Sequence, residues 1–369
     1  MRSDGPTTGG ARVVGPDHRS AIRVCWLNVG VDPDGVHRHS RVIAEHMEGV
    51  RLMTVDARTE SARRAAQRCQ GAQGVILTYT DRLHLQDPTR LRRWCSELRR
   101  RTGAPLVAVV HDVPQTAEGP ARFSERVLRY RAVAEVADIV VVSSGHEAAC
   151  MRTVLDRPYV VAWHHVDGRP AVPTSATGPA DRPPRPTVAV LGFVHPGKRY
   201  DLVLDAVGRA GIDATVLALG GPSAGHEPFV EHLRQHASDQ GAHLEVTGTL
   251  SDDELDRHIE AATVPVAAFR HVAASGSLAR WVGAGRRPVV TENGFTREFD
   301  DRHPGCIELV EPSVAALRAA IRRRLDDPSE SSHGQDLRSF GPASTARSLR
   351  RALVDVVCAG RVDTPAVAT

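Results

Sequence analysis

Apolar residues recur along this chain in short continuous runs, separated by stretches of helical period. Ile22 to Val29, Arg51 to Val55, GVILTYT from Gly74, APLVAVVHD from Ala104, VADIVVVSS from Val136 and YVVAWHH from Tyr159 read as strands. Helical patterns fall between them near Val36 to Met47, Ser61 to Gln70 and Pro88 to Arg101, with one more ahead of VADIVVVSS. Strands this continuously apolar are buried on both faces, which predicts a parallel sheet covered by helices. From Gly168 to Pro186 the pattern breaks: six prolines and no period predict a linker. It then restarts with TVAVLGFV, ATVLALGG, HLEVTGTL, VPVAAF, RPVVTE and CIELV as strands. The helices of this half are DLVLDAVGRAG, Glu227 to Gln240, SDDELDRHIEAA and SLARWVGAG. A last helix near Pro342 to Val357 lies past the second sheet and would cross back onto the first.

The expected architecture is therefore α/β, with two Rossmann-like domains and a cleft between them. Its parts are a disordered leader (1–19), a first domain (20–167), the linker (168–186), a second domain (187–340), the crossover helix (341–358) and a tail (359–369). A length of 369 residues suits two full cores. No apolar run approaches the roughly 18 residues that span a bilayer, and the first residues lack a signal-peptide core, so the expectation is a soluble, cytoplasmic protein. A net charge of +3, with the basic residues spread along the chain, gives no case for a nucleic-acid partner.

The cysteines show no CxxC spacing and read as buried free thiols. His232 and His236 are spaced i,i+4 on a polar stretch and read as helix surface, and no metal or cofactor is expected. No GxGxxG follows a strand and there is no GxxxxGK[ST], which argues against dinucleotide oxidoreductases and P-loop NTPases.

One count changes the picture. Of 47 basic residues a single one, Lys198, is lysine, and it sits in the loop of LGFVHPGKRYDLVLDAV between a strand and a helix. In open parallel sheets, ligands sit beyond the carboxyl ends of the strands, where helix N-termini offer free N–H groups. An ammonium there favours a phosphate or pyrophosphate. A second such loop, Ala273 to Ser277, is built of small residues ahead of a helix. It would let an anion approach the N–H groups of Gly276, Ser277 and Leu278, with the Ser275 and Ser277 hydroxyls adding donors or a cap. In the first domain, Gly35 with His37 and His39 follows strand one, and His111 with Asp112 follows APLVAVV; both groups would face the cleft.

These segments, in this order, resemble the retaining nucleotide-sugar glycosyltransferases of the GT-B fold, in particular the large family numbered four, over about residues 22 to 357. GVHRHSRVIAEHM is similar to that family's glycine loop and helix, VAVVHD to its strand ending in His-Asp, and ADIVVVSS to its Ala-Asp strand. GFVHPGKRYDLVLDAV is similar to the strand, basic loop and helix around the donor pyrophosphate, VTGTLSDDELDRHIEAATVPVAAF to the segment near the base, and SGSLARWVGAGRRPVV to the loop over the phosphates.

The resemblance implies a UDP or GDP sugar as donor, held by Gly192, His195, Lys198, Thr249, Leu250, Ser275, Gly276, Ser277 and Leu278. His111 and Lys198 would be catalytic, and Gly35, His37 and Asp112 would face the acceptor. His195 falls where many members carry an arginine. Two glutamates that many members use for sugar and ribose are replaced by Val272 and Arg280, which leaves Glu292 or Ser277 to hold the ribose. A small soluble acceptor, such as an antibiotic or other natural-product intermediate, is the first expectation. The alternatives are a lipid-linked or polysaccharide acceptor at a membrane surface, reached through Arg-rich helices with Leu91, Trp94, Cys95 and Leu98 as the apolar face, or a GT-B epimerase, phosphorylase or non-catalytic binder.

Overall fold

The computed structural model describes residues 22–29, 35–166 and 185–359. The expected leader, the tail beyond Ala359 and all but the last two residues of the Pro-rich stretch lie outside them. The first sheet contains β1 (Val24–Val29), β2 (Val50–Val55), β3 (Gly74–Tyr79), β4 (Leu106–Val110), β5 (Ile139–Val142) and β6 (Val160–Val161), all parallel, in the order β2-β1-β3-β4-β5-β6. Every side chain of β3 and β4 is buried, as continuous apolar runs require when helices cover both faces. One face packs on α2 (Ala62–Arg68), α3 (Pro88–Thr102), α4 (Pro120–Ala134) and α5 (Gly145–Val154); the other packs on α1 (Gly35–Ala44).

The second sheet orders β7 (Thr187–Leu191), β8 (Thr215–Leu219), β9 (His243–Val246), β10 (Val264–Ala267), β11 (Val289–Thr291) and β12 (Glu308–Val310) as β12-β11-β10-β7-β8-β9. Successive strands run outward from β7 to β9, and the chain then returns to the other side of β7 to lay down β10. The β7–β10 seam is thus the topological switch point, where a crevice opens at the strands' carboxyl ends. Its helices are α6 (Tyr200–Val207), α7 (Glu227–Gln240), α8 (Asp252–Ala261), α9 (Gly276–Gly283), α10 (Gly294–Arg302) and α11 (Val314–Asp326). The final helix, α12 (Pro342–Ala359), leaves this domain and packs against α1, with Ala346, Leu349 and Leu353 in the first domain's core. The crossover expected from the sequence is present.

Several expectations need correction. YVVAWHH forms only the two-residue β6, because it pairs at the sheet edge with Val141 and Val142 and then turns away. Cys25 and Cys69 are paired as a disulfide; their separation of 44 residues hides that β1 and the end of α2 lie side by side. Cys95 and Cys306 are buried free thiols as expected, whereas Cys358 is exposed. Leu91, Trp94, Cys95 and Leu98 face the sheet, so α3 has no apolar stripe left for a membrane. No helix among the described residues is long and apolar enough to cross a membrane. His236 bonds Asp205 at 2.9 Å and His232 lies on Phe229, so that pair does not converge.

Candidate active site

The two loops singled out by chemistry emerge on either side of the β7–β10 seam. Gly192, with φ of +105°, ends β7 in a conformation that disfavours any side chain. A Cβ there would stand 3.4 Å from Lys198 Nζ and 3.6 Å from Ser277 Cβ, so both residues close directly over it. Gly220 repeats the device one strand along, at φ +146°, where a Cβ would meet the Gly192 carbonyl oxygen at 2.6 Å. Backbone and not side chain therefore forms the floor of the crevice.

Lys198 lies above that floor. It is only 9% exposed, donates from Nζ to Ser277 Oγ at 2.5 Å and sits 4.9 Å from the centre of the Phe269 ring. Burial pulls its pKa down to about 8, because the charged ammonium loses hydration that one hydroxyl and one ring only partly replace. Ser275 is the N-cap of α9, accepting from Leu278 N at 3.2 Å, and its hydroxyl lies 3.1 Å from that of Ser277. The Arg270 N–H donates to the Gly197 carbonyl at 3.0 Å and ties the two loops together. One ammonium and one helix N-terminus thus converge on a glycine floor, an arrangement that accepts an anion of several oxygens.

The other expected donor residues divide. His195 accepts from Gly197 N at 3.1 Å, and burial and the neighbouring Lys198 push its pKa down to about 4. Where many members of the resembling family carry an arginine, this chain has a neutral imidazole. Thr249 lies beside Gly221, its N–H 3.6 Å from the position a Cβ would take there, and Leu250 packs with Ile259 and Trp281. Glu292 does not join the group. It ends β11, two strands away from β7, and its carboxylate is held by Arg297 at 2.6 Å. Arg280 turns to Asp256 on α8.

In the first domain the sheet ends at His111 and Asp112. Asp112 adopts φ +53°, rare for a residue with a side chain, and neighbouring bonds hold it there. The Tyr130 hydroxyl donates to the carbonyls of His111 at 2.6 Å and Asp112 at 2.9 Å, and the Arg126 guanidinium also donates to the Asp112 carbonyl. Arg126 is buried and reaches Asp81 at 2.9 Å and Glu118 at 2.5 Å. The imidazole of His111 is buried, 3.5 Å from Ser143 Oγ, with its pKa pushed down to about 3 by burial and by His164. Asp112 opens its carboxylate to solvent.

His37 faces the other way, with Nε2 3.2 Å from Thr54 Oγ1 on β2. Gly35 begins α1, and a Cβ there would meet nothing. Sequence reasoning did not assemble the histidine group around His39. Its ring stands 5.3 Å from that of His111, 4.4 Å from that of His164 and 4.9 Å from that of His165. The adjacent pair in YVVAWHH was the signal available.

Sequence reasoning also passed over α5 and α10, and these two helices join the domains. Glu298 on α10 accepts from Gly145 N and His146 N, both at 2.7 Å, and so caps α5 across the interface. Ser144 Oγ donates to the Ala273 carbonyl at 2.8 Å, and the Arg302 guanidinium lies 4.2 Å over the Trp163 ring. A carboxylate on a helix N-terminus gains from both hydrogen bonds and dipole. Glu298→Ala would leave two part-buried N–H groups without their partner, and the expected loss is about 1 kcal/mol in chemical denaturation. Glu298→Gln, which keeps an acceptor oxygen, should lose less; an alanine variant as stable as the parent would show that the clasp contributes nothing.

No family model matches the chain, and no curated protein matches it by sequence. Solved structures do. Sucrose-phosphate synthase from Thermosynechococcus elongatus superposes with a TM-score of 0.70 at 15% identity, covering 91% of this chain and 100% of that one. HepE from Anabaena, in complex with UDP and glucose, gives 0.64 at 12%, covering 93% and 100%. The UDP-forming α,α-trehalose-phosphate synthase from Burkholderia xenovorans, in complex with glucose-6-phosphate, gives 0.62 at 10%, covering 90% and 100%. With two six-stranded parallel sheets, a helix that crosses back and full-length superposition on such glycosyltransferases, the chain has the GT-B fold.

Proposed function

We propose that this protein is a retaining glycosyltransferase that moves a sugar from a nucleoside diphosphate sugar to a hydroxyl of a small soluble acceptor. The observation that carries the proposal is the convergence of Lys198 and the α9 N-terminus over Gly192 at the switch point. Departure of the diphosphate is the demanding step, because charge builds on its oxygens. The Lys198 ammonium and the N–H groups of Gly276 and Ser277 would stabilise that charge as preorganised electrostatics, with no metal in the phosphate machinery; the Leu278 N–H is already held by the Ser275 cap. The departing phosphate would take the acceptor proton on the same face of the sugar, so no carboxylate nucleophile is invoked. His111 would contact the transferred sugar, with Asp112 toward the acceptor. Ser277, in the Lys198 group, suits the ribose better than Glu292, which is paired elsewhere.

The inward-facing stripe of α3 favours a soluble acceptor over a membrane-bound one. A cytoplasmic role in natural-product assembly fits that acceptor class. The deciding experiment is a thermal-shift screen with UDP, GDP, dTDP and ADP. A ligand that binds only the folded state raises stability by RT ln(1 + [L]/Kd), about 2.7 kcal/mol at a hundredfold excess over Kd. UDP is the base to test first, since HepE is a structural relative solved with it. A melting midpoint unmoved by all four would end the nucleotide-sugar reading. Following donor consumption with and without acceptor then separates transfer from epimerisation, phosphorolysis and mere binding.

A further inference from the structure

We propose that His39, His164 and His165 form a site for a divalent first-row transition metal, Zn2+ above all, where the first domain hands the chain on to the second. Each of the three offers a ring nitrogen, and these atoms lie within 4.8 Å of one another. His39 comes from α1, while His164 and His165 follow β6 at the exit toward the linker, so the group ties a helix to the segment that leaves the domain. The Nδ1 atoms of His39 and His165 are buried without a hydrogen-bond partner among the described residues. Such orphan groups cost about 1–3 kcal/mol each and call for an occupant.

His164 supplies a further sign. Its Nδ1 lies 3.0 Å from the His165 carbonyl, the outer bond that fixes a metal-binding imidazole with its Nε2 lone pair free. Burial and mutual proximity keep all three rings neutral near pH 7, as ligands must be. Arg38, whose charge bears on His165, is engaged by Asp252 at 2.6 Å. Three imidazoles without a carboxylate or thiolate select Zn2+, Co2+, Ni2+ or Cu2+ over Mg2+ and Ca2+. A tetrahedral Zn2+ with Zn–N of about 2.0–2.1 Å would draw together ring nitrogens that already lie within 4.8 Å of one another. His164 also touches the second domain: a Cβ on Gly276 would be 3.7 Å from its Nε2. An ion held here would stiffen the hinge side of the cleft, and the site stands whether or not the chain transfers sugar.

The test uses the full chain without an affinity tag, freed of metal by chelator and titrated with Co2+. The expected result is visible absorption of tetrahedral or five-coordinate Co2+ that saturates at a single equivalent and is displaced by Zn2+. His39→Ala and His165→Ala should each weaken binding by more than about 100-fold, beyond the loss typical of outer-sphere partners. His232→Ala, on the far helix α7, should leave it unchanged. Far-UV circular dichroism checks the folding of each variant. Should an alanine variant unfold, His39→Asn and His165→Asn, which fill more of the ring's space, take its place. Absence of the absorption bands, binding at several equivalents, or equal affinity in the folded His39 and His165 variants would overturn the site.

Discussion

Replacing Lys198 by alanine is expected to lower kcat/KM for donor turnover by at least 100-fold, about 2.7 kcal/mol of barrier. The size follows from the burial of the ammonium, which is only 9% exposed, so that a developing diphosphate charge beside it would be weakly screened. Its low pKa adds a sign that can be read separately. In the free enzyme Lys198 is mostly protonated at pH 7 and loses its proton through about pH 8, so kcat/KM falls as pH rises past 8. A bound diphosphate would raise that pKa again, so kcat should hold to higher pH than kcat/KM.

The same residue bears on stability in the opposite direction. A lysine whose folded pKa is about 8, against about 10.4 in an unfolded chain, makes folding less favourable below pH 8. The deficit is at most about 3 kcal/mol and is relieved as pH climbs from 8 to above 10.4. Lys198→Met should therefore melt no lower than the parent without ligand, while losing both activity and the thermal response to nucleoside diphosphate. A folded Lys198→Ala or Lys198→Met enzyme with near-normal turnover would refute the assignment.

The largest stability effect is expected at Arg126. It is fully inside the first domain, shared between Asp81 and Glu118 and bound to the Asp112 carbonyl. Arg126→Met keeps the stem but leaves two buried carboxylates without their main partner, a change that typically costs 3–5 kcal/mol. Arg129, 3.5 Å from Asp81, compensates in part, so a loss near 3 kcal/mol is the expected result in urea denaturation. The variant should also release the left-handed turn at Asp112 and let His111 wander. On the proposed function Arg126 would position His111, and its loss should lower kcat more than it alters donor KM. A variant with parental stability would mean that the network contributes little beyond solvation of its own charges.

The fold was largely readable from the chain because its strands are buried on both faces and advertise themselves as apolar runs. The donor loops were readable for a related reason: each is a strand, a small-residue turn and a helix start, and one carries the only lysine. What escaped is instructive in physical terms. Helix α5 buries Glu147 with Ala148, Met151 and Val154 on one face, and an acidic residue in that stripe hides it in GHEAACMRTV. Helix α10 is short and mixed, with Phe295 and Phe299 inward and Glu298 given to the other domain. The Cys25–Cys69 bridge, the Arg126 network and the meeting of His39 with His164 and His165 all join residues far apart in sequence. No local pattern records such contacts. Glu292 was one of two alternatives for the ribose, with Ser277, and the fold gives its carboxylate to Arg297.

The crossover helix has a mechanical consequence. The outgoing chain at Trp163 to Val166 and the returning chain at Phe340 to Thr345 run next to each other, joined by Val166 N to the Phe340 carbonyl at 3.0 Å and by Thr345 Oγ1 to the Trp163 carbonyl at 2.6 Å. A single tether would let one half swivel in any direction against the other. Two tethers stitched side by side act as the spine of a book, permitting it to open and shut while resisting twist and slide. Any opening about these two tethers would keep the page that carries His39 and His111 in line with the one that carries Gly276 and Lys198.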